Sequence, residues 1–380
     1  MSGTDDAKWM RRALRLAARG RGRTSPNPMV GAVIVKRGAV VGEGYHQQVG
    51  GPHAEVWALQ AAGRDARGAT VYVTLEPCCH RGRTPPCTDA LIAAGVKRVV
   101  AAQLDPDVRV SGAGVKQLEK AGIRVDVGVL EEQARRLNEG YLKRVATGLP
   151  FVSLKAAMSL DGKIATAGGE SRWITGERAR RVAHRMRAEH DAIMVGAETA
   201  LADDPELTVR LAKGRDPLRI VVDSRGRIPA TARLLRTGDR PPIIVVTEAA
   251  PAASRSRLAS AGAQVWVSPS VNGRVDLGWL LRKLAENGVN SLLIEGGGTL
   301  AAGALAAGVV DRVYFFLAPL ILGGSEARSP VEGDGVSRLA VAWRIQSMRV
   351  RRIGEDLLIT GEVVGNTGAC SLASSRKSEP

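Results

Sequence analysis

The sequence predicts an α/β protein built from two domains, and three observations lead to this prediction. The chain has 380 residues, and at about 100–200 residues per domain this length suits two hydrophobic cores. Short β-type runs alternate with helical segments in both halves, which is typical of sheets flanked by helices. The segment 148–150 (Gly-Leu-Pro) interrupts the helical pattern between them. We therefore expect domains at 1–148 and 149–364, followed by a disordered tail at 365–380 rich in Ser, Gly and charge.

The first half begins with an amphipathic helix over 5–19, because its apolar residues recur at spacings of three and four between arginines. Two β-type runs follow on either side of a Lys-Arg-Gly turn, which predicts a hairpin of strands at 29–35 and 39–42. The remaining predicted elements are a helix at 54–62, a strand at 70–74, a helix from 87 to about 95, a strand at 98–102, a helix at 114–121, a strand at 124–127 and a helix at 131–146.

The second half reads as a longer α/β series with helices between several of its strands. It shows no repeat of the first half, so the two domains are expected to differ in fold. Its predicted strands lie at 152–157, 192–195, 219–222, 243–246, 264–267, 291–294 and 312–317.

Composition excludes several classes of protein. Hydrophobic residues make up 44% of the chain, yet no uninterrupted apolar run approaches the ~18–20 residues that cross a bilayer. The polar, acidic start lacks the basic and apolar regions of a secretory signal, so we expect a cytoplasmic protein. The net charge of +16 suggests an anionic partner. Residues 1–150 carry 23 basic and 14 acidic side chains and residues 151–380 carry 31 and 24, so the surplus is dispersed. Only 3% of residues are aromatic, which favours a small phosphorylated ligand over a nucleic acid.

Three of the four cysteines fall within ten residues, close behind a His-Ala-Glu motif. His53, Cys78 and Cys87 supply the three protein ligands that a catalytic zinc needs, and Glu55 is placed to move protons without binding the metal. H-x-E followed by P-C is the signature of zinc deaminases that act on nucleobases, although their second cysteine normally comes two residues after the first. Arg81 stands where that second cysteine would be. A structural zinc site that also uses Cys79 remains an alternative at this point.

A second motif follows the predicted strand at 291–294. The segment 295–299 (Glu-Gly-Gly-Gly-Thr) leads directly into a helical segment, and a glycine turn at a helix start can cradle a phosphate with backbone N–H groups. A tight turn without a ligand is the alternative. A Rossmann site is disfavoured because no ribose-binding acid follows at the expected distance.

Together these motifs resemble one family, the bifunctional deaminase/reductases of riboflavin biosynthesis. The resemblance covers nearly all of residues 5 to 363 in the family's order. It rests on 27–31 (Asn-Pro-Met-Val-Gly), the His-Ala-Glu motif, 76–87 with its Gly-Arg-Thr-Pro-Pro-Cys insertion, 159–165 (Ser-Leu-Asp-Gly-Lys-Ile-Ala), 171–174 (Ser-Arg-Trp-Ile), the block 191–210 and the segment 295–300. The loop 105–108 (Asp-Pro-Asp-Val) departs from the family by lacking a second proline.

For the first half, the resemblance implies a cytidine-deaminase-like three-layer domain. Its reaction would be zinc-dependent hydrolytic removal of the 2-amino group of 2,5-diamino-6-(5-phosphoribosylamino)pyrimidin-4(3H)-one. His53, Cys78 and Cys87 would bind zinc, and Glu55 would donate and accept the proton. Asn27, His80 and Arg83 are the expected substrate contacts.

For the second half, the resemblance implies a dihydrofolate-reductase-like domain that uses NADPH to reduce the ribosyl group to a ribityl phosphate. Asp203 is the expected acid near the transferred hydride, and Arg187 and Arg210 suit a phosphate because a guanidinium fork binds its oxygens in pairs. The family also suggests a homo-oligomer. The expected cofactor positions are Ala157, Trp173, Thr199, Asp203, Ser224, Gly297, Gly298, Thr299, Leu300, Ala301, Ala302 and Gly303. The expected substrate positions are Ser171, Arg187, Leu207, Arg210 and Glu295.

Two other functions compete with this interpretation. A deaminase acting on tRNA or free nucleosides would explain the zinc motif and the positive charge, but it leaves the second half unused. A nucleotide-sensing regulator with a structural zinc would need no catalytic Glu55. Loss of deamination in Glu55→Ala with zinc and fold intact would separate catalysis from a structural role.

Overall fold

The computed structural model describes residues 3–81 and 85–364, and these form two compact units. One contains the chain up to Pro150 together with Ala285–Asn290, and the other contains Phe151–Leu284 and the chain from Ser291 onward. Both are α/β, which confirms the predicted fold class. No helix in the described ranges is both long enough and apolar enough to cross a membrane.

The first unit is a five-stranded mixed sheet with helices on both faces. Its order is β2-β1-β3-β4-β5; the β1–β2 and β1–β3 pairs are antiparallel and the remaining pairs are parallel. Its elements are α1 (Gly3–Ala17), β1 (Gly31–Lys36), β2 (Ala39–Tyr45), α2 (Ala54–Ala62), β3 (Thr70–Val73), α3 (Cys87–Ala94), β4 (Arg98–Ala101), α4 (Ala113–Lys120), β5 (Arg124–Val127), α5 (Glu131–Leu137) and α6 (Glu139–Thr147).

Alternating strand residues build a separate apolar layer on each face of this sheet. Ile34, Val71 and Val99 pack against α2, α3 and α4 on one face. Tyr72 and Val100 pack against α1 and α5 on the other. The result is the three-layer arrangement that the sequence predicted.

Glycine allows α2 to lie directly on the hairpin. A Cβ added at Gly42 of β2 would stand 2.3 Å from the carbonyl oxygen of Ala58, a distance that real Cβ atoms do not reach. This close contact fixes the start of α2, and therefore the position of His53, against the sheet.

The single helix predicted at 131–146 is wrong, because Asn138 divides it into α5 and α6. Its backbone is not helical, with φ −108° and ψ 20°. The buried side chain accepts a hydrogen bond from the Met29 N–H and donates one to the Met29 carbonyl, both at 2.8 Å. These long-range bonds to the segment before β1 compensate for the interrupted helix.

The second unit is built on a nine-stranded sheet in the order β10-β9-β8-β7-β13-β6-β14-β16-β15. The seven strands from β10 to β14 are parallel, and β16 and β15 continue the sheet antiparallel. Its elements are β6 (Phe151–Ser159), α7 (Glu177–Glu189), β7 (Ala192–Gly196), α8 (Ala197–Asp203), β8 (Leu218–Val222), α9 (Arg233–Arg236), β9 (Ile243–Thr247), α10 (Ala252–Ser260), β10 (Gln264–Ser268), β11 (Ser270–Val271), β12 (Arg274–Val275), α11 (Leu277–Glu286), β13 (Ser291–Glu295), α12 (Gly298–Ala306), β14 (Arg312–Ala318), β15 (Arg344–Ile353) and β16 (Asp356–Val364).

The chain leaves β6, passes outward from β7 to β10, and then returns to insert β13 between β7 and β6. Such a reversal of strand order opens a crevice at the carboxyl ends of the strands, where ligands of open α/β sheets bind. Val195, Val221 and Val246 form the core under one part of the sheet, and Leu293, Phe316 and Leu358 pack with α7 under another.

The hairpin of β15 and β16 was not predicted. The strand β15 reads Arg-Ile-Gln-Ser-Met-Arg-Val-Arg-Arg-Ile, and of these residues only Ile353 is buried. A bulge between Gln346 and Arg349 shifts the register, so the apolar residues do not alternate regularly through the strand.

Candidate active sites

Three predicted metal ligands converge in the first unit. The imidazole nitrogen and two sulfur atoms of His53, Cys78 and Cys87 all lie within 4.8 Å of one another. His53 Nδ1 is 3.2 Å from Cys87 Sγ and 3.5 Å from Cys78 Sγ. In a tetrahedral zinc site, bond lengths of about 2.0–2.1 Å to nitrogen and 2.3 Å to sulfur would separate these atoms by about 3.5–3.8 Å. The residues present therefore fit a zinc ion.

Each ligand comes from the start of a helix or the loop that leads to it. His53 is the residue before α2, Cys87 is the first residue of α3, and Cys78 lies in the loop between β3 and α3. The backbone N–H of Cys87 points to Cys78 Sγ at 3.4 Å. The site thus depends on two short segments held by the sheet.

The two thiols share their protons unequally. The hydrogen bond from the Cys87 thiol lowers the pKa of Cys78, and His53 acts in the same direction. The same hydrogen bond and the burial of Cys87 raise the pKa of Cys87. Cys78 is therefore the thiol that loses its proton more readily, and the thiolate is the form that binds metals.

Cys79 does not join these ligands. Its sulfur lies 3.8 Å from the carbonyl oxygen of Arg109, in the direction of a neighbouring loop. Within the described ranges the cluster therefore has three protein ligands, which suits a catalytic site with one open position better than a closed structural site.

Glu55 stands beside the ligands in the first turn of α2 and is only 3% exposed. Burial raises the pKa of its carboxyl group to about 7, and the negative Cys78 acts in the same direction. A carboxyl group with this pKa can both take up and release a proton near neutral pH.

His53, Cys78 and Glu55 line a cavity of about 550 Å³, a size typical of small-molecule sites. Predicted substrate contacts Asn27 and His80 are also in its wall. Arg83 lies outside the described residues, as does the predicted tail at 365–380. Other polar residues that line the cavity are His46, Glu76, Asp105, Asp107, Arg109, Tyr141, Arg144 and Glu286.

His46, which the sequence analysis missed, fixes the orientation of Asn27. Its Nε2 is 3.1 Å from the Asn27 amide nitrogen, and its Nδ1 is 3.1 Å from the carbonyl oxygen of Pro52. If Nδ1 donates to Pro52, Nε2 accepts from the amide, which leaves the Asn27 carbonyl oxygen for a ligand. Burial lowers the pKa of His46, which keeps the ring neutral. Three of the five histidines in the chain, His46 among them, line this cavity.

Glu76, the first residue of the segment 76–87, was not predicted to have a role, and the structure shows that it organises the loop after β4. Its carboxylate accepts backbone hydrogen bonds from Asp105 at 3.2 Å, Gly112 at 2.9 Å and Val115 at 3.2 Å. Tyr141 in turn donates to Asp105 at 2.9 Å. The loop after β4 is therefore held against the cavity by side chains from other parts of the unit.

In the second unit, predicted residues gather at the carboxyl ends of the parallel strands. Glu295 ends β13, and Arg187 in α7 donates to both of its carboxylate oxygens, at 2.8 and 2.9 Å. Lys155 Nζ is 3.7 Å from the same carboxylate. Although burial opposes it, these two positive charges lower the pKa of Glu295 to about 2. Glu295 is therefore an ionised, buried carboxylate.

Arg187 and Arg210, both predicted phosphate ligands, differ in how they are bound. Arg187 is 15% exposed, and besides Glu295 it donates to the carbonyl of Thr208 at 3.1 Å. Arg210 is 47% exposed and pairs with Glu206 at 2.6 Å. Its backbone N–H donates to His184 Nδ1 at 3.1 Å, so His184 holds the segment that carries Arg210.

Two more predicted residues, Ser171 and Asp203, meet directly. The Ser171 hydroxyl donates to Asp203 Oδ1 at 3.2 Å, and the Arg172 guanidinium also lies near this carboxylate, at 3.7 Å. Trp173 is 67% exposed, with the Arg180 guanidinium 4.4 Å from its ring centroid. An exposed indole at a strand-end crevice is available for a ligand to stack on.

The predicted glycine turn lies between β13 and α12. Gly296 and Gly297 have φ values of 91° and 87°, a backbone conformation that other residues rarely adopt. A Cβ at either would approach Thr199 within 3.2 Å, so the turn and this predicted residue are in contact. The Thr299 hydroxyl donates to Glu332 at 3.1 Å, so a carboxylate stands beside the start of α12.

The remaining predicted cofactor and substrate residues occupy varied places. Ala157 is on β6, Leu207 is buried with a φ of 57°, and Ser224 follows β8 and accepts a hydrogen bond from the Val275 N–H at 3.3 Å. Gly298 and residues 300–303 lie in α12. Their contacts with a ligand stay predictions.

Comparisons with known proteins identify the family of both halves of the chain. The family model for the cytidine and deoxycytidylate deaminase zinc-binding region matches residues 3–103, and the model for the RibD C-terminal domain matches residues 150–359. The chain is 44% identical over 359 residues to riboflavin biosynthesis protein RibD of Actinobacillus pleuropneumoniae, covering 94% of this chain and 96% of that protein. It is 45% identical over 367 residues to RibD of Escherichia coli strain K12, covering 93% and 98%.

Solved structures show the same likeness. RibD of Acinetobacter baumannii superposes with a TM-score of 0.86 at 41% identity, covering 96% of this chain and 100% of that one. A diaminohydroxyphosphoribosylaminopyrimidine deaminase/5-amino-6-(5-phosphoribosylamino)uracil reductase of Thermotoga maritima superposes with a TM-score of 0.83 at 36% identity, covering 95% and 99%. Identity of this extent over both halves accounts for the zinc motif and the glycine turn together. The chain belongs to the RibD family of riboflavin biosynthesis proteins.

Proposed function

We propose that this chain catalyses two successive steps of riboflavin biosynthesis on one pyrimidine. The first unit removes the 2-amino group of 2,5-diamino-6-(5-phosphoribosylamino)pyrimidin-4(3H)-one by hydrolysis, and the second reduces the ribosyl group of the product to a ribityl phosphate with NADPH. The observation that carries the proposal is the cluster of His53, Cys78 and Cys87 beside a buried Glu55, in a chain whose second half matches the RibD reductase domain.

The deaminase residues divide the work of binding and proton transfer. His53, Cys78 and Cys87 would hold a zinc ion, which would lower the pKa of a water molecule toward ~7. Glu55 takes a proton from the attacking water and delivers it to the departing amino nitrogen, so that ammonia leaves as a neutral molecule. The Asn27 carbonyl oxygen, oriented by His46, faces the N–H groups of the pyrimidine. His80 and Arg83 are proposed contacts for the rest of the substrate.

The reductase residues bind and orient two ligands. NADPH supplies the hydride. We assign the glycine turn with Thr199, Thr299 and Trp173 to NADPH, and Arg210 to the substrate phosphate because its guanidinium is half exposed. Arg187 has a different role in this proposal, since it holds Glu295 in place for the substrate. Asp203, bound to Ser171, is the proposed acid near the transferred hydride.

We further propose that the chain works in the cytoplasm as a homo-oligomer, with small molecules as its ligands and without nucleic acid or membrane. The dispersed positive charge supports phosphorylated ligands at both sites. Sedimentation of the purified protein tests the oligomeric state, and salt-dependent binding of tRNA would contradict the absence of nucleic acid.

The direct test follows the two reactions separately in purified, zinc-containing protein. Ammonia release and NADPH oxidation are measured with the diaminopyrimidinone substrate, and zinc content is determined on the same sample. We expect one zinc per chain, ammonia release without NADPH, and NADPH oxidation that starts only after deamination. Protein that holds no zinc and leaves NADPH absorbance unchanged would overturn the proposal.

A further inference from the structure

The rim of the deaminase cavity carries an ion pair that has no part in the zinc site. Asp107 and Arg109 both line the cavity, in the loop after β4. Arg109 Nε lies 2.9 and 3.1 Å from the two Asp107 carboxylate oxygens, Nη2 lies 2.5 Å from one of them, and the Arg109 backbone N–H donates to the other at 3.0 Å. Arg109 lowers the pKa of Asp107 to about 2, so the pair stays charged at any physiological pH.

This pairing fixes the guanidinium without using all of it. Nε and Nη2 form one edge of the fork and face Asp107, whereas Nη1 makes no hydrogen bond to any described residue. The side chain remains 68% exposed. A carboxylate that holds one edge of an arginine already restricts the conformation of the side chain. Binding an anion at the other edge therefore costs little further conformational entropy.

Two neighbours point to a ligand at the same place. His80 lines the cavity, and its buried Nδ1 has no hydrogen-bond partner among residues 3–81 and 85–364. A buried polar nitrogen in a folded protein is normally satisfied, so a ligand or water is required there. Cys79, the residue before His80, has its sulfur 3.8 Å from the carbonyl oxygen of Arg109. The unpartnered nitrogen and the free edge of Arg109 therefore belong to one part of the rim.

The other charges of the cavity leave this part as the place for an anion. Glu76 and Asp105 are buried acidic residues of the wall, Glu286 is an exposed one, and all three repel a phosphate. Arg144 is the second guanidinium among the described lining residues, and its Nε donates to Asn290 at 2.5 Å and its Nη2 to the carbonyl of Pro26 at 3.0 Å. Its Nη1 has no bond to a described residue either, but Arg144 is half-buried, whereas Arg109 is 68% exposed and its carbonyl oxygen lies 3.8 Å from the sulfur of Cys79, the neighbour of His80.

We propose that Arg109 binds the 5′-phosphate of the substrate during deamination, held in position by Asp107 and assisted by His80. This inference rests on the proposed function, since it concerns the phosphate of that substrate. It assigns the sugar-phosphate end of the substrate to the rim formed by the loop after β4 and places the pyrimidine toward zinc and Glu55. It also makes deamination selective for the phosphorylated compound.

The test compares Arg109→Ala with Arg124→Ala in full-length, zinc-containing protein. Arg124 is a matched control because it is 71% exposed and also pairs with an aspartate two residues away, Asp126, yet it does not line the cavity. Ammonia release is measured with the phosphorylated substrate and with its dephosphorylated counterpart, and ribose 5-phosphate is added as a competitor. Zinc content serves as the measure of folding of the first unit, and NADPH oxidation with pre-deaminated intermediate as that of the second.

We expect Arg109→Ala to raise the KM for the phosphorylated substrate about tenfold to a hundredfold, the size of a charge-assisted hydrogen bond, with little change in kcat. The KM for the dephosphorylated substrate should not change, inhibition by ribose 5-phosphate should weaken in parallel, and Arg124→Ala should match wild type. Arg109→Lys should fall in between, because lysine keeps the charge but not the fork.

The inference is overturned if Arg109→Ala leaves the KM for the phosphorylated substrate unchanged, or changes both substrates and kcat equally. Failure of the proposed function looks different, because wild-type protein with zinc bound would then release no ammonia from the phosphorylated substrate. If Arg109→Ala loses zinc or reductase activity, the Arg109→Lys comparison with the two substrates decides the question.

Discussion

The two active sites of this chain handle buried charge in opposite ways. In the first unit, Glu55 is buried beside the negative Cys78, His53 offsets only part of the effect, and the pKa of Glu55 is raised to about 7. In the second unit, Glu295 is buried against Arg187 and Lys155, and its pKa is lowered to about 2. A carboxyl group of the first kind is suited to moving protons, and one of the second kind to holding a fixed negative charge. The first site therefore holds an acid suited to proton transfer, whereas the second neutralises its acid within the protein.

The comparison predicts that Glu55 can be replaced without structural damage but with severe loss of activity. Glu55→Gln should reduce ammonia release about a thousandfold, within the range of general acid–base catalysis. Zinc content, the unfolding free energy of the first unit and NADPH oxidation with pre-deaminated intermediate should be unchanged. Ammonia release within tenfold of wild type would show that Glu55 is not the proton carrier.

At the second site the same kind of change should cost stability. Arg187→Met leaves Glu295 buried with only Lys155 nearby, and breaking a buried ion pair costs about 3–5 kcal/mol. Unfolding of the second unit in urea is monitored by the loss of NADPH binding, which gives the change in its unfolding free energy. Zinc release monitors unfolding of the first unit. The double variant Arg187→Met/Glu295→Leu should recover much of the loss, because no buried charge remains unpaired. An unchanged midpoint for Arg187→Met would remove the contrast between the sites.

A pH experiment sharpens the comparison through His184. Burial, together with Arg187 and Arg210, lowers the pKa of His184 to about 4, against an ordinary value of 6.5. Between these two pKa values His184 is protonated in the unfolded chain but not in the folded chain. The unfolding free energy therefore falls as the pH drops from 6.5 to 4. The loss is about 3 kcal/mol of unfolding free energy in the second unit.

His184→Asn is the matched variant, since asparagine can still accept the Arg210 backbone N–H but does not titrate. Urea unfolding at pH 7 and pH 5 should differ for wild type and much less for this variant. Equal pH dependence in the two proteins would mean that another group is responsible. Glu295 cannot mimic the effect, because its lowered pKa removes stability only as the pH falls below its ordinary value of 4.5 toward 2.

The zinc site was predictable because its residues lie in two short motifs. His53 and Glu55 are two residues apart, Cys78 and Cys87 are nine apart, and metal ligand chemistry restricts the choice of residue types. His46 was missed because its hydrogen bond to Asn27 depends on the pairing of β1 with β2, which brings together the residues before β1 and after β2. Single-residue polar contacts of this kind leave no periodic signal in a sequence.

The reductase site was identified only through resemblance, and its pairings could not be predicted. Arg187 and Glu295 are 108 positions apart, and their contact depends on β13 being inserted beside β7 after the chain has formed β8, β9 and β10. The alternation of strands and helices gave the fold class and most strand positions. The divided helix at Asn138 and the bulged strand β15 were not predicted, because long-range hydrogen bonds and a register shift override the local spacing of apolar residues.

The smallest expected effect concerns Glu332. It tests whether an acidic side chain of the second site weakens the binding of the NADPH phosphates. Its carboxylate accepts the Thr299 hydroxyl, and its backbone N–H donates to the Gly298 carbonyl at 3.1 Å, so a negative charge stands where we assign the cofactor phosphates. A charge near a helix N-terminus is worth about 0.3–1 kcal/mol. Glu332→Gln should therefore tighten NADPH binding about two- to fivefold, measured by fluorescence titration, and the effect should shrink at high salt.

Glu326→Gln provides the control, because Glu326 lies in the same loop and is exposed but has no contact with the glycine turn among the described residues. It should leave NADPH binding unchanged. If both variants tighten binding equally, the cause is the general charge of the loop. If Glu332→Gln weakens binding, the carboxylate supports the turn through Thr299, and the second site then uses its acid to position the cofactor as it uses Glu295 to position the substrate.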